Sequence, residues 1–175
     1  MQNQINPEFL RLLAGLLAAP EDDSLSVLSE LAEAHAWLRE PATELAERGL
    51  PHWQAEHTSL FVSHYPKTIC PPFESAYRGG TMGGSVVEEL SLLYAESGLK
   101  AEENMPPDYL GTILECAAWL LEEKSAEDPL YRALWEKHVA DWVPRFADDM
   151  MNREEGLLLY RRLGERMKSI IEARD

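Results

Sequence analysis

Apolar residues in this chain recur at steps of three and four, in short stretches that open on a proline or small polar residue and close on glycine or proline. That spacing gives each stretch one apolar stripe along a helix, and no stretch shows the every-second-residue alternation of a half-buried strand. The implied fold class is all-α, a single-domain compact helical bundle over residues 1–175. Asn6-Pro7 supplies a start for Phe9, Leu10, Leu13, Leu16 and Leu17, a helix running to about Ala19. Ser24 is placed to cap a second helix with Leu25, Leu28, Leu31, Ala32, His35 and Leu38 on its face. Pro41 begins a piece that Gly49 ends, and Pro51 opens a helix placing Trp53, His57, Leu60, Phe61 and His64 near one face. Ser85 with Glu88 forms a capping-box pattern, and Gly98 is the matching stop. Pro107-Asp108 starts a helix lined by Leu110, Leu114, Ala117, Ala118 and Leu121. Asp128-Pro129 starts another with Leu130, Leu134 and His138, which Pro144 separates from turns holding Phe146 and Met150. Asn152 with Glu155 offers a last capping box before Leu158, Leu163, Met167, Ile170 and Ile171.

Two links break this rhythm. Residues 66–84 carry three prolines and four glycines, too punctuated for a helix, and 99–106 form a second long loop. Links of such length within a domain are usually functional or disordered, and Phe73 and Tyr77 argue for the former.

Charge narrows the function. Thirty-one acidic against sixteen basic residues give a net charge of -15, which opposes phosphate contacts and argues for cationic partners and no nucleic acid. No apolar run nears the ~20 residues that span a bilayer, so no membrane insertion is expected. Met1-Gln2-Asn3-Gln4 lacks the basic and apolar regions of a secretory signal, which points to the cytoplasm. The two cysteines, Cys70 and Cys116, are expected as reduced thiols.

Catalytic constellations are sparse. Gly79-Gly80-Thr81-Met82-Gly83-Gly84 lacks the lysine of a phosphate-binding loop and follows no strand. His57, His64 and Cys70 do not have zinc-ligand spacing, so no metal is expected. Glu74 and Asp108 sit where the long loops approach apolar residues, and a carboxylate there can engage the planar fork of an arginine or clamp a loop. An enzyme reading pairs Glu74 with His57 or His64, without a recognisable motif; another makes the chain a helical adaptor that recognises no peptide.

Five ordered blocks resemble the TorD/DmsD/NarJ family of redox-enzyme maturation chaperones, closest to the TorD/DmsD type. Glu56-His57-Thr58-Ser59-Leu60-Phe61 is similar to the family's helix ending in Leu-Phe, and Cys70-Pro71-Pro72-Phe73-Glu74-Ser75-Ala76-Tyr77 to its Pro-Pro-aromatic-Glu-Ser block. Tyr94 and Gly98 match Tyr-x-x-x-Gly, Pro107-Asp108-Tyr109-Leu110 matches Pro-Asp-His-Leu with Tyr109 in place of the histidine, and His138 to Trp142 matches His-x-x-x-Trp, with Phe146 following. The resemblance covers about residues 55–150. It implies a TorD-like all-α fold, a monomer or domain-swapped dimer, and no catalysis. The implied partners are the twin-arginine signal peptide and the immature molybdenum-cofactor reductase that carries it, and some members of such a family bind guanine nucleotide weakly. The peptide site implied comprises Phe61, Pro72, Phe73, Glu74, Ser75, Tyr77, Asp108, Tyr109, His138 and Trp142, with Glu74 and Asp108 meeting arginines between aromatic walls.

Overall fold

The computed structural model describes residues 5–78, 84–99 and 105–172. Among these the chain forms ten α-helices and a 3-10 turn at Ala36–Leu38, with no strand. In order they are α1 Pro7–Leu17, α2 Ser24–Ala34, α3 Arg39–Arg48, α4 Leu50–Phe61, α5 Glu74–Arg78, α6 Ser85–Glu96, α7 Leu110–Glu123, α8 Pro129–His138, α9 Val143–Met151 and α10 Leu158–Glu172.

Several helix boundaries are those the local signals specify. Asn6 accepts the Phe9 N–H at 2.8 Å ahead of Pro7, and Asp128 accepts the Leu130 N–H at 2.9 Å ahead of Pro129. Gly98, at φ +83°, ends α6 in a Schellman turn: the Leu99 N–H reaches the Tyr94 carbonyl at 2.8 Å and the Gly98 N–H that of Ala95 at 3.1 Å.

Four expected starts differ. The Ser24 hydroxyl accepts the Glu21 N–H at 2.7 Å and leaves α2 without a side-chain cap. Ser85 is the first helical residue behind Gly84, so no capping box with Glu88 forms. α7 begins only at Leu110, with Tyr109 at its cap position and no side-chain cap. α10 begins at Leu158, not at Asn152, where Glu44 of α3 accepts the Leu158 N–H at 2.9 Å. A carboxylate fixed by another helix supplies the acceptor that the local pattern assigned to Asn152. The link expected over 66–84 also holds a short helix, α5.

The chain forms two compact units, each discontinuous in sequence: residues 1–18, 72–145 and 169–175, and residues 19–71 and 146–168. α7 is the centre of the first. Leu110, Ile113, Leu114, Cys116, Ala117, Ala118 and Leu120 are all buried, so it is covered on most sides, whereas the expected stripe residue Leu121 is half-buried. α1 lies along it through Leu10, Leu13 and Leu17, and α8 packs against it and α6 with Leu134 and Trp135 in the core.

In the second unit, α2, the 3-10 turn, α3 and α4 pack in succession. The Trp53 indole donates to the Tyr160 hydroxyl at 3.1 Å, and the Phe61 ring stands edge-on to Tyr160 at 5.3 Å. In the part of α10 that belongs to this unit Leu159, Tyr160, Leu163 and Met167 are buried and Leu158 is half-buried; in the part that belongs to the first unit Ile170 is buried and Ile171 half-buried.

Candidate functional site

The two irregular links of the first unit meet at one antiparallel bridge, Phe73 opposite Tyr109. The Leu110 N–H donates to the Pro72 carbonyl at 2.9 Å and the Glu74 N–H to the Asp108 carbonyl at 3.1 Å, so both links satisfy backbone groups that would otherwise need water. The half-buried Phe73 and Tyr109 rings lie 5.7 Å apart, tilted by 49°. Behind the bridge, Asp108 accepts the Ser75 N–H at 2.9 Å and the Ser75 hydroxyl at 2.5 Å through the same oxygen. Asp108 was expected to favour the start of its own helix, α7; it caps the N-terminus of α5 instead. It is 1% exposed, and its other oxygen has no hydrogen-bond partner among the described residues.

Glu74 is fully buried and faces His138, whose Nδ1 lies 2.7 Å from both carboxylate oxygens. A carboxylate accepts, so the tautomer that pairs with it donates from Nδ1. Arg78, one helical turn on, places Nε 3.3 Å from Glu74, Nη1 3.2 Å from Asp141, and donates from Nη2 to the Lys137 carbonyl. The Trp142 indole donates to the His138 carbonyl at 2.7 Å, and Tyr77 lies against Trp142 with ring centres 5.5 Å apart. Pro72, Phe73, Glu74, Ser75, Tyr77, Asp108, Tyr109, His138 and Trp142 therefore form one connected set joining α5 to the end of α8 and the start of α7. Phe61 belongs to the second unit, buried against Phe146 and Tyr160.

On the same unit lies a cavity of about 500 Å³ whose lining includes Ala14 and Gly15 of α1, Ala18 just after it, Tyr94 of α6, Tyr109, and Gly111, Thr112 and Trp119 of α7. Its floor is low because the α1 positions are small: a methyl group at Gly15 would meet nothing within 4 Å. At Gly111 a methyl would overlap the Tyr109 ring, so that glycine lets the ring lie across the start of α7. Arg11, another lining residue, is held by Glu122 and more weakly by Glu115, which raises its pKa, and its guanidinium in turn lowers that of Glu122. Burial pushes the Tyr94 and Tyr109 phenols up, so both stay neutral, and the Tyr94 hydroxyl donates to the Pro107 carbonyl at 2.6 Å.

The imidazole that meets Glu74 is His138, while His57 stacks edge-on to Phe61 in the second unit and His64 is exposed. Glu74 and His138 are 0% and 2% exposed. Burial pushes the Cys70 thiol up and the Cys116 thiol up to about 12, too high for an active nucleophile. No group of three metal-ligating side chains and no helix long and apolar enough to cross a membrane occurs among the described residues. Residues 79–83 of the glycine run lie outside them.

The sequence reading missed Tyr94 and Trp119 as cavity walls, and Arg78 with Asp141 as partners in the buried cluster. Arg78 carried a signal, four residues after Glu74 in ion-pair spacing; Gly15, a glycine inside an apolar helical repeat, carried a weaker one.

Residues 24–148 match the family described as nitrate reductase delta subunit. A selenate reductase assembly chaperone protein from Thauera selenatis is 26% identical over 182 residues, spanning 96% of this chain and 89% of that protein. The Tat proofreading chaperone DmsD of Salmonella typhi is 30% identical over 125 residues, 69% of this chain and 57% of that protein. A crystal structure from Archaeoglobus fulgidus, assigned as a redox enzyme maturation protein, superposes with a TM-score of 0.72 at 26% identity, covering 98% of this chain and 96% of that one.

Proposed function

The chain belongs to the nitrate reductase delta subunit family, and from that membership we propose that it is a cytoplasmic, non-catalytic chaperone for a molybdenum-cofactor oxidoreductase. It binds the twin-arginine signal peptide of the immature enzyme and delays export until the cofactor is in place. The observation that carries this reading is the double position of Tyr109. One side of the ring lines the apolar cavity, and the same residue pairs with Phe73, next in sequence to the acidic Glu74 cluster. A leader presents two arginines followed by an apolar stretch, so the apolar stretch occupies the cavity walled by Tyr94, Tyr109 and Trp119, and the arginines reach the acids beyond the bridge. Glu74 and Asp108 hold the two links in register for that contact. The net charge of -15 draws the basic end of the leader in.

Calorimetric titration with leader peptides from candidate reductases, and with versions whose arginines are alanine, tests the reading. Binding that needs the arginines and weakens as salt rises is the expected result. Failure of every leader to bind sinks it. An adaptor for a folded partner would bind the mature enzyme as well as its precursor, whereas the proposed chaperone is expected to bind the precursor alone.

A further inference from the structure

We propose that Arg78 is the chain's own occupant of a guanidinium seat, and that an arginine of the incoming leader displaces it; the inference rests on the peptide-binding reading above. All three guanidinium nitrogens of Arg78 have separate acceptors: a Glu74 oxygen, an Asp141 oxygen and the Lys137 carbonyl. That carbonyl lies in the last turn of α8, where the helix dipole is negative. Three acceptors around one planar fork suit arginine and not lysine, whose ammonium is a point charge.

The seat is closed at its base and open at its rim. Glu74 has a side-chain exposure of 0%, whereas those of Arg78 and Asp141 are 32% and 53%. Glu89 adds a second exposed carboxylate there, 3.8 Å from the outer nitrogen of His138. A buried carboxylate has to keep its cation, since stripping it of a partner is costly. Exchanging one guanidinium for another meets that condition, because Glu74 ends with a guanidinium beside it as before. Ejecting Arg78 without a replacement does not. The seat is therefore filled until a second arginine arrives, which suppresses binding of peptides that are merely apolar or merely basic.

Tethered competition lowers apparent affinity by the fraction of time the seat is free. Arg78→Ala in the full chain is expected to bind an Arg-Arg leader about tenfold tighter than the unaltered protein, a gain of about 1.4 kcal/mol. The same leader with Lys-Lys is expected to gain less than twofold. Arg132→Ala removes an exposed positive charge from α8 away from the seat and controls for net charge; it is expected to change affinity by less than twofold. A readout independent of any leader uses N-acetyl-argininamide, followed by NMR at the Trp142 indole N–H, which donates to the His138 carbonyl. Titration is expected to shift that resonance in Arg78→Ala and not in the unaltered protein, and adding Asp141→Asn to Arg78→Ala is expected to abolish the shift.

An Arg78→Ala protein that melts cooperatively yet binds the Arg-Arg leader no tighter than the unaltered protein overturns the proposal while leaving the chaperone reading intact. An equal gain in Arg132→Ala also overturns it, by assigning the effect to charge alone. Argininamide binding to Arg78→Ala with no leader bound by any version supports the seat and removes the chaperone reading instead.

Discussion

Gly15 offers a direct test of whether the α1–α7 cavity is a binding surface, because one position supports two substitutions with opposite expected effects. It lies within α1, which packs along α7, and a methyl group there meets no atom within 4 Å. Gly15→Ala therefore keeps every contact and removes the entropic cost of glycine in a helix, worth about 0.5–1 kcal/mol. For a chain of this length that raises Tm by roughly 1–4 °C. Gly15→Leu adds a branched side chain at the lining of a cavity of about 500 Å³ and takes space that the proposed function assigns to the leader. If it excludes one apolar side chain of the peptide, the loss is about 1.5–3 kcal/mol, or roughly 10- to 150-fold in Kd. Thermal melts followed by circular dichroism measure the first effect, and calorimetric titration with an Arg-Arg leader the second. A lowered Tm for Gly15→Ala would refute the claim that the space is open. Unchanged leader affinity in a folded Gly15→Leu protein would show that the cavity is not where the apolar stretch binds.

Three other outcomes follow from the same geometry. Glu74→Gln leaves His138 and Arg78 facing a neutral amide, so urea unfolding should show a loss of about 3 kcal/mol, and a double-mutant cycle with His138→Gln should give a coupling above about 1 kcal/mol; additive effects would mean the pair is not coupled. Gly111→Ala forces the Tyr109 ring away from the start of α7 at a cost of about 1–3 kcal/mol, and that cost should largely vanish in a Tyr109→Ala background. Burial lifts the Cys116 thiol from 9.0 to about 12, so the folded state holds a proton that the unfolded chain releases first. The resulting stability is complete below about pH 9 and lost as pH rises toward 12, which should appear as a falling Tm in alkali that Cys116→Ala reduces, and iodoacetamide at pH 8 should modify Cys116 only after unfolding.

What could be read before folding, and what could not, divides by range. Asn6-Pro7, Asp128-Pro129 and Gly98 act on N–H and C=O groups within four residues of themselves, so their effect was legible. Ser24, Ser85 and Asn152 have the same composition and do not cap. Ser24 serves the Glu21 N–H, Ser85 falls one position inside its helix, and Glu44, 114 residues from Leu158, takes the donor at the start of α10.

The site divides in the same way. The Pro-Pro-Phe-Glu-Ser block, the Pro-Asp-Tyr block and the His-x-x-x-Trp turn were visible as separate pieces, and with them the family and the all-helical class. Their arrangement was not, because it is set by charge satisfaction inside a low-dielectric interior. A buried Glu74 needs a donor, and the one that reaches it, His138, lies 64 residues away. A buried Asp108 takes the Ser75 N–H and hydroxyl, 33 residues away, and so caps a helix that is not its own. The sequence by itself determined the helices with complete local signals and the residue types of the site. Only the tertiary structure decided that Glu74 and Asp108 hold the two links together and that Arg78 pairs with both Glu74 and Asp141.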